Sequence, residues 1–165
     1  MKAEDRLKER LIKADKTVKV YSYSSLLSGF IPFPGLDMVA VTGLQKSLIN
    51  SLSKLYSVNF SKNAVNASVS SLLESVVPQS FRRGILDLFI DSIPVVGTIT
   101  GISTSLFSAS FTYAIGQVYI KHFESGGTVL NFDPVAMRSH FEKSFAAGQE
   151  KAKNYRSKLK SKILD

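Results

Sequence analysis

Few residues in this chain are of the types that do chemistry, and their spacing decides against most reactions. There are two histidines, His122 and His140, and no cysteine. A metal pair on a helix needs a second ligand three or four residues away. The nearest carboxylates, Glu124 and Glu142, sit two residues on and therefore on another face. Both histidines read as surface residues, and His122 falls near a helix end where an imidazolium favours the dipole. Asp87 and Asp91 are four apart and share a helix face, which suits a cation or a shared proton. The plainer reading leaves the pair in solvent or facing Arg82 and Arg83, one turn earlier. Serine is abundant, but no Gly-x-Ser-x-Gly elbow occurs and no serine has a base fixed by spacing. The Gly-rich stretch Gly97 to Gly101 lacks the lysine that reaches nucleotide phosphates. The sequence therefore assigns no catalytic, cofactor-binding or metal-ligating residue, and it reads as a non-enzyme.

The elements that would position any site are helices. The chain has 165 residues, enough for a single domain with a core of its own. A first helix is expected from about Ala3 to Gly29, with an apolar stripe Leu7, Leu11, Ala14, Val18, Tyr21 at steps of four and three. Phe30-Ile31-Pro32-Phe33-Pro34-Gly35 breaks it, because proline lacks a donor and restricts the residue before it. A second helix follows from about Leu36 to Tyr56, with Asp37 in its first turn supporting the dipole. A third is capped by Ser61 or Asn63 and ends at Pro78. A short fourth, from about Ser80 to Ser92, stops at Ile93-Pro94-Val95-Val96-Gly97. A fifth runs from about Thr98 to Phe123 and ends at Gly126-Gly127. After an extended or looped link over Thr128–Phe132, Asp133-Pro134 starts a sixth. That helix runs to about Lys162 on the stripe Met137, Phe141, Phe145, Gly148, Ala152, Tyr155, Leu159, Ile163. The expectation is an all-α domain of about six helices around a central uncharged one. Two helix–Ile-Pro-x-x-Gly–helix hairpins, 62 residues apart, suggest an internal duplication.

Charge is distributed as unevenly as chemistry is sparse. The net charge is +8. Residues 2–19 hold seven Lys/Arg against four Asp/Glu, and residues 138–165 hold eight against three, while the middle is balanced. Lys151, Lys153, Arg156, Lys158 and Lys160, with Phe141 and Phe145 on the stripe beside them, make the expected partner or membrane surface. Basic ends of this kind suit anionic lipid or an acidic partner; a solvated helix face is the plain alternative. Nucleic acid is a poor fit, because the basic ends lack interleaved aromatics for stacking. From Ser92 to Ile120 there are 29 residues without a charge, long enough to span a bilayer. Many are Ser or Thr, however, and a central helix of a soluble bundle explains them as well. Two ladders of small residues, Gly97, Gly101, Ser105, Ala109 and Gly43, Ser47, Ser51, suit close helix packing. The start Met1-Lys2-Ala3-Glu4-Asp5-Arg6 has no apolar region of the kind a secretory signal carries. Lys2 also stands where a myristoylation site requires glycine. Mean hydropathy is +0.08, at the border between soluble and membrane-associated chains.

The segment Ile31-Pro32-Phe33-Pro34-Gly35-Leu36-Asp37, followed by Leu44-Gln45 and Leu55-Tyr56, resembles the bacterial YcjF-like helical domain, domain-of-unknown-function family six-nine-seven. The second half is similar to it as well, through Ile93-Pro94-x-x-Gly97-Thr98, Thr112-Tyr113-Ala114-x-Gly116 and Phe123-x-x-Gly126-Gly127. The likeness covers about residues 20 to 130. It implies a helical module linked to membranes and to Era-like GTPase domains, to which such domains are often attached. It transfers no catalytic residues, and this chain departs from the common arrangement in having no GTPase domain attached. Three readings follow: a helical interaction module at or near a membrane, partnered by a GTPase or another helical protein; a soluble adaptor or homo-oligomer assembling through its terminal helices; and a small membrane-active effector or immunity-type protein. The expected location is cytoplasmic, with peripheral or integral attachment to the inner membrane.

Overall fold

Helix after helix packs antiparallel around one central element. The computed structural model describes residues 3–28, 36–76 and 104–164. Among the described residues there are five helices and no strand: α1 Ala3–Ser28, α2 Leu36–Leu55, α3 Lys62–Val76, α4 Thr104–Glu124 and α5 Pro134–Leu164. The all-α class is thus shown. The helix expected over 80–92, both Ile-Pro-x-x-Gly breaks (Ile31, Pro32, Pro34, Gly35; Ile93, Pro94, Gly97) and the pair Asp87 and Asp91 lie outside the described residues. So does the side chain of Asp37.

Local sequence explains each boundary. The Ser61 hydroxyl accepts from the Ala64 N–H at 3.5 Å and starts α3. Asp133 Oδ1 accepts from the N–H groups of Val135 (2.9 Å) and Ala136 (3.1 Å), satisfying two of the orphan donors that open α5. Removing that cap, Asp133→Ala, is expected to cost about 1 kcal/mol, read as a lower midpoint in urea unfolding. α4 ends where Gly126 turns to φ +81°, and the Gly127 N–H then reaches back to the His122 carbonyl at 3.0 Å. At the end of α2 the same left-handed step is taken by Ser57, at φ +56°, with Val58 N–H bonded to the Ser53 carbonyl at 2.8 Å. No glycine marked that turn in the sequence.

α4 is the centre, touched by all four other helices. Its buried positions, among them Phe111, Ala114, Ile115, Val118 and Tyr119, meet Val18 of α1, Leu48, Ile49 and Leu52 of α2, Val65 and Leu72 of α3, and Phe141 of α5. Aromatic edges knit the α4–α5 seam: Phe107 meets Phe145 at 5.4 Å between ring centroids and Phe111 meets Phe141 at 5.5 Å. Buried hydroxyls on α4 are paired, Thr112 with Ser25 at 2.8 Å and Tyr119 with Ser68, as desolvated polar groups require. Burial pushes the Tyr119 phenol up to about 12. Between Ser108 and Phe123 only the strip Tyr113, Gln117, Lys121 reaches toward the surface, in the gap between α1 and α5, with Gln117 donating to Asp15 at 3.2 Å.

The antiparallel order gives the bundle two poles. One carries the start of α1, the α2–α3 turn and the α4–α5 turn, tied together by Arg10. Its guanidinium donates to Glu124 at 3.3 Å and lies 4.7 Å from the centre of the Tyr56 ring. Burial and the Glu124 charge push the Tyr56 phenol well above its usual range. The other pole carries the end of α1, the starts of α2 and α4, and the end of α5. Contacts such as Val18 with Gly116, Ser25 with Thr112 and Leu26 with Ala109 and Ala152 set that order.

Candidate interaction surface

The cations at the end of α5 arise from a simple pattern. From Lys151 to Leu164 the helix carries six Lys/Arg and no acid. Its inner face there is held by Ala152, buried against Leu26 and Ala109, and by Tyr155, whose ring meets Tyr23 edge-on with centroids 3.6 Å apart. With that face fixed, Lys151, Lys153 and Lys158 fall outside it. Lys153 is exposed and bonds Glu150 one turn earlier at 3.0 Å, while Lys158 is exposed. Lys151 is half-buried, its ammonium 5.6 Å from the centre of the Tyr113 ring. Burial raises the Tyr113 phenol above its usual value, and the nearby Asp15 carboxylate adds to this. Arg156 is half-buried; the side chain of Lys160 lies outside the described residues.

Across the cleft, α1 contributes Lys19, which Asp15 holds at 2.6 Å and so keeps charged to higher pH than usual. Lys19, Tyr113, Lys151 and Tyr155 line this cleft over a floor of Leu26, Ala109 and Ala152. Its volume of about 10 Å³ is room for one water, so the cleft itself holds no organic ligand. Further along, His140 is pushed below its usual pKa by burial first, and then by Lys121 and Lys143. Among the described residues no three His, Asp or Glu side chains gather as metal ligands, and no helix is long and apolar enough to cross a membrane.

Several expectations from the sequence need correction. Phe141 is not on a partner surface: it is fully buried against Phe111, and Phe145 is half-buried against Phe107. The stripes of α1 and α5 pack mainly on α4 rather than on each other, and the two helices meet where Tyr23 and Leu26 reach Tyr155 and Ala152. His122 is buried rather than a surface residue. Its Nε2–H donates to the Thr128 carbonyl at 2.9 Å and to Asn131 Oδ1 at 3.1 Å, fastening the α4–α5 turn. Gly43 and Ser47 are exposed, and a Cβ at Gly43 would meet nothing within 4 Å. Gly97 and Gly101 lie outside the described residues, Ser105 is half-buried, and Ala109 is buried beside Ala152.

The close approaches fall elsewhere, at two glycines outside either ladder. A Cβ at Gly116 would run into the Val18 side chain, and one at Gly148 would come to 2.9 Å from the Ser110 carbonyl oxygen. Both glycines sit opposite a neighbouring helix, at i+4 or i+7 from other buried residues. A search for small residues on apolar stripes, rather than for evenly spaced ladders, would have found Gly148.

No family model matches the chain, and no solved structure does. The chain is similar to a protein of Magnetospirillum gryphiswaldense named magnetosome membrane protein 22. The two are 29% identical over 157 residues, covering 94% of this chain and 80% of that protein. The similarity thus takes in most of the helical bundle.

Proposed function

We propose that this protein is a non-enzymatic helical interaction module that works at or near a membrane. The observation that carries the reading is the run of six Lys/Arg without an acid on the last turns of α5. Each lysine or arginine near an anionic leaflet contributes about 1 kcal/mol of attraction. Two things lend support: the similar Magnetospirillum protein is named for a membrane, and the resemblance to the YcjF-like domain implies membrane and GTPase association. The partner is a GTPase or another helical protein. Unpartnered apolar residues on α1, Ile12 at 69% and Val20 at 53% exposure, suit a helical partner.

Membrane fractionation of the expressed protein tests the reading. The protein is expected in the membrane pellet at low salt, and extraction with 1 M salt, where the Debye length is about 3 Å, is expected to release it. Recovery in the soluble fraction at low salt would remove the membrane part of the proposal.

A further inference from the structure

Between Ser108 and Phe123 the central helix is open along one strip alone, Tyr113, Gln117 and Lys121, in the gap between α1 and α5. From Tyr113 to Lys121 the strip is about 12 Å long, a little over two helical turns. α1 supplies one wall of this recess. Leu11, Ile12, Asp15, Lys16 and Lys19 line an open groove of about 510 Å³, and Leu11 and Ile12 are both exposed. α5 supplies the other wall. Lys151 lies over the Tyr113 ring and His140 stands beside Gln117, which fixes the side that α5 turns to the recess. Lys143, Ala147 and Asn154 continue that side at helical spacing, and it holds no acid.

The charges of the recess are unbalanced. Asp15 is its carboxylate, and it is already taken, by Lys19 at 2.6 Å and by Gln117 at 3.2 Å. Glu124, past the end of the strip, is held by Arg10 at 3.3 Å. Burial holds His140 below its usual pKa and the charges of Lys121 and Lys143 add to this, so both ammonium groups stand near it. No ion pair among the described residues engages Lys16, Lys121 or Lys143. Exposed aliphatic side chains thus lie on one wall, and uncompensated cations on both walls and the floor.

We infer that the recess between α1 and α5 receives an amphipathic helix of a partner protein, its apolar stripe on Leu11 and Ile12 and its flanking carboxylates on Lys16, Lys121 and Lys143. The inference rests on the reading of a helical partner and adds where that partner sits and what charge it carries. Apolar anchors at steps of three and four are how a groove of this kind reads a helix. The flanking carboxylates supply the counter-charge that the recess lacks. A second copy of this chain fits poorly through the same face, because cations would meet cations. A flat bilayer would reach the rims of the recess and not the strip on its floor.

The probe is a fluorescein-labelled peptide of about 18 residues, long enough to be helical, with leucine at steps of three and four and glutamate on both flanks. It is titrated with the full chain, without lipid, at about 0.1 M salt, where exposed charges more than about 10 Å away are largely screened. Its anisotropy is expected to rise to saturation, and a peptide with lysine in place of every glutamate is expected to give no rise. Lys121→Gln with Lys143→Gln should weaken binding about tenfold, and so should Ile12→Asp. Lys54→Gln with Lys62→Gln removes the same charge on the α2–α3 side and should stay within about twofold of the natural chain. No saturable binding of the acidic peptide, or equal weakening by the two double variants, would overturn the inference. So would a Lys121–Lys143 double variant that keeps its affinity for the peptide and loses it for anionic vesicles, which would assign the recess to lipid. Failure in the lipid-free titration leaves the membrane reading standing, and failure of the chain to bind vesicles leaves the recess as a site for a helix.

Discussion

Phe141→Asp is expected to abolish cooperative folding of the bundle. Phe141 is wholly inaccessible, edge-on to Phe111 and tilted against Phe145, at the junction where α3 and α5 meet α4. Truncating such a ring alone costs about 3–5 kcal/mol through lost transfer energy and the cavity left behind. A carboxylate in its place adds the cost of an unpaired buried charge. Domains of this size are stable by only about 5–15 kcal/mol, so little or nothing remains. Circular dichroism should show no cooperative thermal transition, or one displaced far below that of the natural chain. The same residue on an oligomer seam would behave differently: the substituted chain would stay folded and change only its assembly state. A well-folded monomer with an intact melt would contradict the core placement.

Gly148→Leu and Gly43→Ala are expected to act in opposite directions. At Gly148 the obstacle is backbone, the Ser110 carbonyl oxygen at 2.9 Å and its Cα at 3.0 Å from where a Cβ would stand. Backbone cannot rotate away as the tip of a side chain can. α5 must therefore move off α4, breaking the contacts that hold Ala152 against Ala109 and the Phe107–Phe145 pair. Overpacking of this kind costs about 3 kcal/mol. At Gly43 the space is open, and within α2 a methyl group removes the entropy that glycine loses on folding. Gly43→Ala should stabilise by about 0.5–1 kcal/mol. Urea midpoints of the two variants against the natural chain decide the matter. A destabilised Gly43→Ala would restore the ladder on α2 as a packing face.

The pattern of success and failure between sequence and structure follows from what periodicity encodes. Stripes at steps of three and four marked α1 and α5, the proline–glycine break before Leu36 placed the start of α2, and Gly126-Gly127 and Asp133-Pro134 bounded the α4–α5 turn by local chemistry. Periodicity says which residues share a face, but not what that face meets. Leu7 and Leu11 continue the stripe of Ala14 and Val18 and yet stand exposed, because α1 runs past the end of its neighbours. Phe141 and Phe145 were legible as one stripe, and its destination, α4 rather than a partner, was not. His122 looked like a surface residue because its partners, Thr128 and Asn131, are brought to it only by the turn after α4. Evenly spaced small residues suggested close packing at Gly43, while contact occurs where a small residue lies on a buried stripe, as at Gly148. The basic end of α5 needed no tertiary information, since six cations and no acid within fourteen residues of one helix are read directly from the sequence.

Attachment to anionic lipid is the claim on which the functional account turns, and flotation tests it most directly. The full chain is mixed with vesicles containing phosphatidylglycerol at low salt and centrifuged beneath a density gradient, with neutral phosphatidylcholine vesicles in parallel. The account predicts that the protein rises with the anionic vesicles and not with the neutral ones. Protein that remains at the bottom of the gradient with anionic vesicles at low salt would contradict it.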